Sequence, residues 1–134
     1  MVKLLFDETG SELAVELSDH AESIVSSQLV YPEARAAAGA AQRETESTRI
    51  RCGARWNRID ELCAELNIIG LDAGLAHAAG NLAEIYSLRA YHAVHLATAL
   101  SIEAKSMLLA TWDGELARAA VAAGCSVSSP PSQR

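Results

Sequence analysis

The chain has 134 residues, half of them apolar, with a net charge of −6 and a pI of about 5.1. This length suits one domain, and the acidic balance excludes a protein that holds nucleic acid by charge alone, because phosphate binding requires lysine and arginine. No apolar stretch approaches the roughly 20 residues that span a bilayer. The three cysteines are scattered and form no zinc or disulfide pattern. Reduced thiols in a cytoplasmic protein are therefore the simplest interpretation.

The N-terminal half is predicted to be mainly helical. The predicted segments are a helical piece at residues 2–6, a helix from Thr9 to about Ser18, a strand at residues 24–30, a helix from Pro32 to about Arg43 and a helix at about residues 45–66. Thr9 and Glu12 have the spacing of a capping box, and Pro32 suits a first helical turn, which needs no N–H there. The last two helices are expected to form an αα-hairpin. The apolar face of its second helix is predicted at Ile59, Leu62, Cys63 and Leu66.

Strands and helices alternate in the C-terminal half. The predicted segments are a strand at residues 67–71, a helix capped by Asp72 and ending near Tyr86, a helix at about residues 90–104, a buried strand at 107–111, a helix at 115–123 and an edge strand at 125–128. The buried stripe of the first helix is predicted at Leu75, Ala76, Ala79, Leu82, Ala83 and Tyr86. The second helix is predicted to present Tyr91, Val94, His95 and Thr98 along one stripe. Gly124 is expected to end the last helix in the left-handed region.

This alternation predicts an α/β fold with a mostly parallel sheet and helices on both faces. One domain is expected at residues 2–128, followed by a disordered tail at 129–134. Glu33 falls in the first turn of a helix after one strand, and Asp113 follows another, so both are expected at the carboxyl edge of the sheet. Oxygen ligands there suit Mg²⁺ or Mn²⁺. The alternatives are an acid favoured by the helix dipole for Glu33 and a helix N-cap for Asp113.

Four segments, in order, resemble the VapC-like toxin ribonucleases of the PIN-domain family. They are residues 2–12, residues 26–37, Arg89-Ala-Tyr-His-Ala-Val-His-Leu-Ala-Thr-Ala-Leu100 and Met107-Leu-Leu-Ala-Thr-Trp-Asp-Gly-Glu-Leu116. The resemblance covers about residues 2–127. It implies a PIN-like fold and a metal-dependent endoribonuclease acting on RNA, with Mg²⁺ or Mn²⁺ held by Glu33 and Asp113 and with a cognate antitoxin as partner.

The chain departs from the family at two of its usual four acids. The family's first, central strand ends in Asp-Thr-Ser-Ala and precedes the Val2-Lys-Leu segment, so this strand and its aspartate are absent here. Unpaired strand edges would be costly if buried. Either the natural chain starts upstream of Met1, or the fold is compromised, or another segment fills the position.

The second departure is His92, which stands where the family motif has aspartate. One interpretation is a neutral histidine on the helix surface, replacing an acid that is no longer needed. The other is a substituted metal ligand, because a neutral imidazole favours Mn²⁺, Zn²⁺ or Ni²⁺ over Mg²⁺. His95 is three residues away and could join it, although the resemblance gives His95 a packing role.

The arginines cluster in one helical region, at Arg43, Arg49, Arg51, Arg55 and Arg58. They form either a solvated face paired with Glu44, Glu46 and Asp60, or a contact for RNA or a partner through Arg49, Arg51 and Arg55.

The resulting hypothesis is a PIN-like toxin component with an incomplete acidic site and weak activity. Its rival is a catalytically inactive PIN-like protein that binds an antitoxin or a PIN partner. A small α/β binding domain unrelated to RNA is the third possibility. The alanine-rich core also predicts a homo-oligomer or dependence on an antitoxin for stability.

Overall fold

The computed structural model describes residues 11–44, 49–103 and 106–129. The chain divides into two compact units, residues 1–68 and 69–134. The described ranges contain six helices with four short strands between and after them, which confirms the predicted α/β class. The predicted helical piece at residues 2–6, the capping residue Thr9 and most of the predicted tail lie outside the described residues.

The N-terminal unit contains a helical hairpin between two short strands. Its elements are α1 (Ser11–His20), β1 (Val25–Ser27), α2 (Val30–Glu44), α3 (Arg49–Ala64) and β2 (Asn67–Ile69), which ends at the unit boundary. β1 and β2 form a two-stranded sheet. At its end, the Asn67 N–H donates to the Ile24 carbonyl over 2.9 Å. β1 is shorter than predicted because the Ser27 hydroxyl accepts from the Leu29 N–H and turns the chain into α2.

α2 and α3 pack through small side chains, as the predicted hairpin requires. Ala34 and Ala38 are fully buried against Ile59, and Trp56 and Cys63 pack around them. Alanine every four residues lets the two helices approach closely. The predicted apolar face of α3 is confirmed: Ile59 and Leu62 are buried, and Cys63 and Leu66 are half-buried.

An aromatic and charged group joins α2 to α3 on the hairpin surface. The Arg35 guanidinium lies 4.3 Å from the ring centroid of Trp56 and 5.6 Å from that of Tyr31. Arg35 also donates to the Tyr31 hydroxyl over 2.7 Å, and this hydroxyl donates to the Asp60 carboxylate over 2.9 Å. These cation–π contacts and hydrogen bonds connect the surfaces of the two helices.

The C-terminal unit is built around one buried helix. Its elements are α4 (Ala73–Tyr86), α5 (Ala90–Leu100), β3 (Leu108–Ala110), α6 (Gly114–Ala122) and β4 (Ser126–Ser128). Asp72 caps α4 as predicted, because its Oδ1 accepts from the Leu75 N–H over 2.7 Å. The predicted stripe of α4 is wrong at Ala76, which is exposed, whereas Ala79 is buried.

α5 is more buried than its predicted stripe implied. Its buried residues are His92, Ala93, Val94, Leu96, Ala97, Thr98 and Ala99. Of the four residues predicted along one stripe, Val94 and Thr98 are buried, His95 is half-buried and Tyr91 is exposed. α5 ends at Leu100, earlier than predicted, where the Ser101 hydroxyl donates to the Thr98 carbonyl.

β3 and β4 form a parallel pair, with Leu108 opposite Ser126 and Ala110 opposite Ser128. The prediction that β3 is buried is wrong: Leu108 is 50% exposed, and Ala110 is exposed too. Within the described residues, β3 pairs with β4 alone, and the four strands form two pairs. Gly124 has φ 89° and ends α6 as predicted.

Among the described residues, no helix has both the length and the apolar composition required to cross a bilayer.

Candidate metal centre

Asp113 both starts a helix and faces a possible metal ligand. β3 ends at Ala110, and the Thr111 hydroxyl accepts from the Asp113 N–H over 3.1 Å, which fixes the turn. Oδ1 of Asp113 then accepts from the Leu116 N–H over 2.9 Å and caps α6. Its other oxygen, Oδ2, lies 3.5 Å from Nε2 of His92. The two predictions for Asp113, N-cap and site residue, are therefore compatible, because each uses a different oxygen.

His92 lies in the first turn of α5, and its side chain is only 7% exposed. The interpretation of His92 as a histidine on the helix surface is therefore wrong. The ring packs against Tyr91 at a centroid distance of 4.1 Å. Within the described structure, its buried Nδ1 has no hydrogen-bond partner. Leaving a buried polar atom unpaired costs about 1–3 kcal/mol, so an imidazole is an expensive side chain at this position.

Glu115 completes a group that the sequence reasoning did not anticipate. It lies in the first turn of α6, two residues after Asp113. One possible ligand atom from each of His92, Asp113 and Glu115 lies within 4.8 Å of the others. The signal that could have revealed Glu115 is the Asp-Gly-Glu spacing, which puts both acids at the beginning of one helix. His95 is not part of this group.

An arginine adds positive charge beside these carboxylates. Arg89 stands at the N-cap position of α5 and makes no side-chain cap. The pKa of its guanidinium is raised by a hydrogen bond with Tyr91 and by the charges of Tyr91, Glu115 and Asp113. Arg89 is fully exposed, so water and salt screen this attraction. It nevertheless places a permanent cation beside the two acids.

The other predicted site residues are placed as follows. Glu33 lies in the first turn of α2 in the N-terminal unit, as predicted, and is half-buried. Its role at the same metal centre stays a prediction. The side chains of Arg49 and Arg51 lie outside the described part of the structure, and Arg55 is half-buried. A contact of these arginines with RNA or a partner also stays a prediction.

One observation in the arginine region supports the solvated-face interpretation. Arg58 pairs with Glu61 over 3.4 Å, and both side chains are more than half exposed. Asp60 accepts a hydrogen bond from the Tyr31 hydroxyl, and its predicted pairing with arginine stays a prediction.

The geometry of His92 and Asp113 fits a divalent metal ion. Their facing atoms are 3.5 Å apart, which is wider than a good N–H···O hydrogen bond. Two ligands at about 2.1 Å from a tetrahedral ion lie about 3.4 Å apart, so an ion fits between them with little movement. Glu115 is exposed, and one of its carboxylate oxygens lies within 4.8 Å of a possible ligand atom on each of His92 and Asp113.

Comparisons with known proteins agree with the resemblance. The PIN domain family model matches residues 1–122. Ribonuclease VapC45 of Mycobacterium tuberculosis strain CDC 1551 / Oshkosh is 40% identical over 127 residues, covering 95% of this chain and 88% of that protein. Ribonuclease VapC49 of strain ATCC 25618 / H37Rv gives the same identity and coverage. The predicted family is confirmed, and the chain belongs to the PIN-domain family, in the group of the VapC proteins.

Proposed function

We propose that this chain is the toxin of a toxin–antitoxin pair, a metal-dependent endoribonuclease that a cognate antitoxin binds. The observation that carries the proposal is the cluster of His92, Asp113 and Glu115 where α5 and α6 begin. Two of these residues stand at positions that the family resemblance marks as metal ligands. The relatives named as ribonucleases support the same activity.

The residues at this centre have different roles. Nε2 of His92 and Oδ2 of Asp113 would hold the ion, with Glu115 and, by resemblance, Glu33 as further carboxylates. A divalent ion held by these residues would supply Lewis-acid polarisation of the phosphodiester and would make a water more acidic for in-line attack. The cap bond from the Leu116 N–H fixes the Asp113 carboxylate, so Oδ2 stays directed at the centre. Burial fixes the His92 ring in the same way.

Arg89 supplies positive charge beside the metal centre of a chain that is acidic overall. The guanidinium offsets part of the carboxylate charge and offers N–H donors to an approaching phosphate. This local charge explains how RNA could approach a protein whose formal net charge is −6.

The incomplete acidic set lowers the expected activity with Mg²⁺. His92 contributes no negative charge where the family motif has aspartate, and Mg²⁺ depends on charged oxygen ligands. We therefore expect weak cleavage of RNA with Mg²⁺.

The test incubates purified protein with structured and single-stranded RNAs in Mg²⁺ or Mn²⁺, with and without EDTA. We expect cleavage that EDTA removes and that Asp113→Asn abolishes. Asp72→Asn, at the equivalent cap of α4, is the matched control and should retain it. Absence of cleavage with every ion would contradict the enzyme proposal.

That result would favour the second candidate, a PIN-like protein that only binds an antitoxin or a PIN partner. The observation in its favour is the replacement of a motif aspartate by His92. A binding protein would still capture the antitoxin, and Asp113→Asn would leave this binding unchanged.

A further inference from the structure

The donor set of the centre differs in kind from an all-carboxylate site. It combines one imidazole, His92, with two carboxylates, Asp113 and Glu115. Mg²⁺ prefers oxygen ligands in octahedral geometry and retains its waters, whereas imidazole nitrogen suits zinc, copper, iron and nickel. Exchanging a charged oxygen for a neutral nitrogen therefore lowers affinity for Mg²⁺ more than affinity for a transition ion.

The His92 side chain also has the features of a ligand and lacks those of a structural histidine. The residue is more than nine-tenths buried, and Nε2 faces Oδ2 of Asp113 at 3.5 Å. A structural histidine would use its two nitrogens in hydrogen bonds. Here the Nε2 contact is long, and the buried Nδ1 has no hydrogen-bond partner within the described residues. The imidazole is thus directed at the carboxylate without a satisfying bond to it.

We infer that the centre formed by His92, Asp113 and Glu115 selects a first-row transition ion over Mg²⁺, with Zn²⁺ bound more tightly than Mn²⁺. This inference rests on the proposed function only in taking these residues as the metal site. The 3.5 Å separation of the two facing atoms matches an edge of the tetrahedron that Zn²⁺ favours. The order of the two transition ions follows their general order of affinity for nitrogen and oxygen ligands.

Isothermal titration calorimetry with Zn²⁺, Mn²⁺ and Mg²⁺ on the metal-free protein tests the preference. We expect Zn²⁺ to bind most tightly and Mg²⁺ most weakly. His92→Gln keeps a polar side chain of similar length but removes the imidazole, and it should weaken Zn²⁺ by at least about tenfold. His77→Gln is the matched control, because His77 is exposed on α4 outside the cluster, and it should leave the affinity unchanged.

A second variant and a spectrum keep the test decisive if one variant unfolds. His92→Asp should lower Zn²⁺ affinity and raise Mg²⁺ affinity. Visible absorption of Co²⁺ bound to the parent should show the strong bands of low-coordinate Co²⁺, and these should be lost in the folded His92 variant. Circular dichroism identifies which variants are folded.

If the parent protein binds Mg²⁺ as tightly as Zn²⁺ or more tightly, the inference is overturned. It is also overturned if His92→Gln does not weaken the binding of Zn²⁺. RNA cleavage is measured separately. A protein that prefers Mg²⁺ and cleaves RNA would refute the inference while the proposed function stands. A protein that binds Zn²⁺ through His92 but cleaves no RNA would support the inference while the proposed function fails.

Discussion

Replacing Asp113 in three ways separates its role in folding from its role at the metal centre. Asn and Ser both keep a side-chain oxygen that can accept from the Leu116 N–H, whereas Ala does not. All three remove the oxygen charge that faces His92. The variants therefore share the loss at the metal centre but differ in the cap.

The magnitudes follow from the exposure of Asp113 and from the cap. The side chain is 42% exposed, so water can replace its contact with His92, and the cap dominates metal-free stability. Losing a cap to alanine costs about 1 kcal/mol, or roughly 3–5 °C in Tm for a chain of this size. Asn and Ser should lose little. An ion at about one hundred times its Kd adds about 2.7 kcal/mol, nearly three times the cap's effect.

Thermal unfolding with EDTA and with saturating Mn²⁺ measures both effects. The parent should gain stability on adding the ion, and no Asp113 variant should. The control series Asp72→Asn, Asp72→Ser and Asp72→Ala acts on the α4 cap, and it should reproduce the cap loss while keeping the ion response. An Asp113→Asn protein that is still stabilised by Mn²⁺ would refute the assignment of this carboxylate to the metal centre. Equal metal-free destabilisation by Ser and Ala would refute the cap.

Burial raises the pKa of the Cys63 and Cys125 thiols, and at Cys63 the charge of Asp60 adds to the effect. Because the thiols of the unfolded chain ionise first, near pH 9.0, the free energy of unfolding should fall as pH rises through and above that value. The urea midpoint should therefore be lower at about pH 9.5 than at about pH 7.5, and the difference should shrink when both cysteines are replaced by alanine. Arg35→Met removes the cation over Trp56 and should lower the free energy of unfolding in urea by about 0.5–1 kcal/mol. Arg58→Met removes one partner of an exposed pair with Glu61 and should leave the free energy of unfolding nearly unchanged. Equal effects of the two substitutions would contradict the stacking argument. Ile85 and Val121 are 68% and 63% exposed, so we expect the protein to self-associate. Its Tm should then rise with protein concentration over a roughly hundredfold range. Light scattering that gives a monomer at every concentration would refute the self-association.

Local chemistry explains which features the sequence predicts well. Asp72 and Gly124 were predicted from rules that depend only on neighbours in sequence, namely a cap acceptor and a left-handed residue, and the structure confirms both. The ends of β1 and α5 were misplaced because hydrogen bonds of Ser27 and Ser101 decide them. These bonds depend on a side-chain rotamer, which periodicity does not contain.

Tertiary packing explains the errors at the candidate site. One of the two interpretations of His92 placed it on the helix surface, because an isolated helix pattern does not show that most of α5 is buried. Glu115 was missed because its proximity to His92 depends on how α5 and α6 begin next to each other in space. Asp113 was found because its strand–turn–helix setting is written in consecutive residues. The family and fold class came from ordered motifs, which need no such packing information.

The alanine contacts of the hairpin also bear on the order in which the N-terminal unit folds. Ile24 and Asn67 are far apart in sequence, and the hydrogen bond between them closes a long loop. Alanine has no rotamers to lose, so joining α2 to α3 through Ala34 and Ala38 costs little side-chain entropy. Once the hairpin forms, most of the loop is already structured and its two ends are brought near each other. We expect the hairpin to form before β1 pairs with β2, because it lowers the chain entropy that the later strand pairing must overcome.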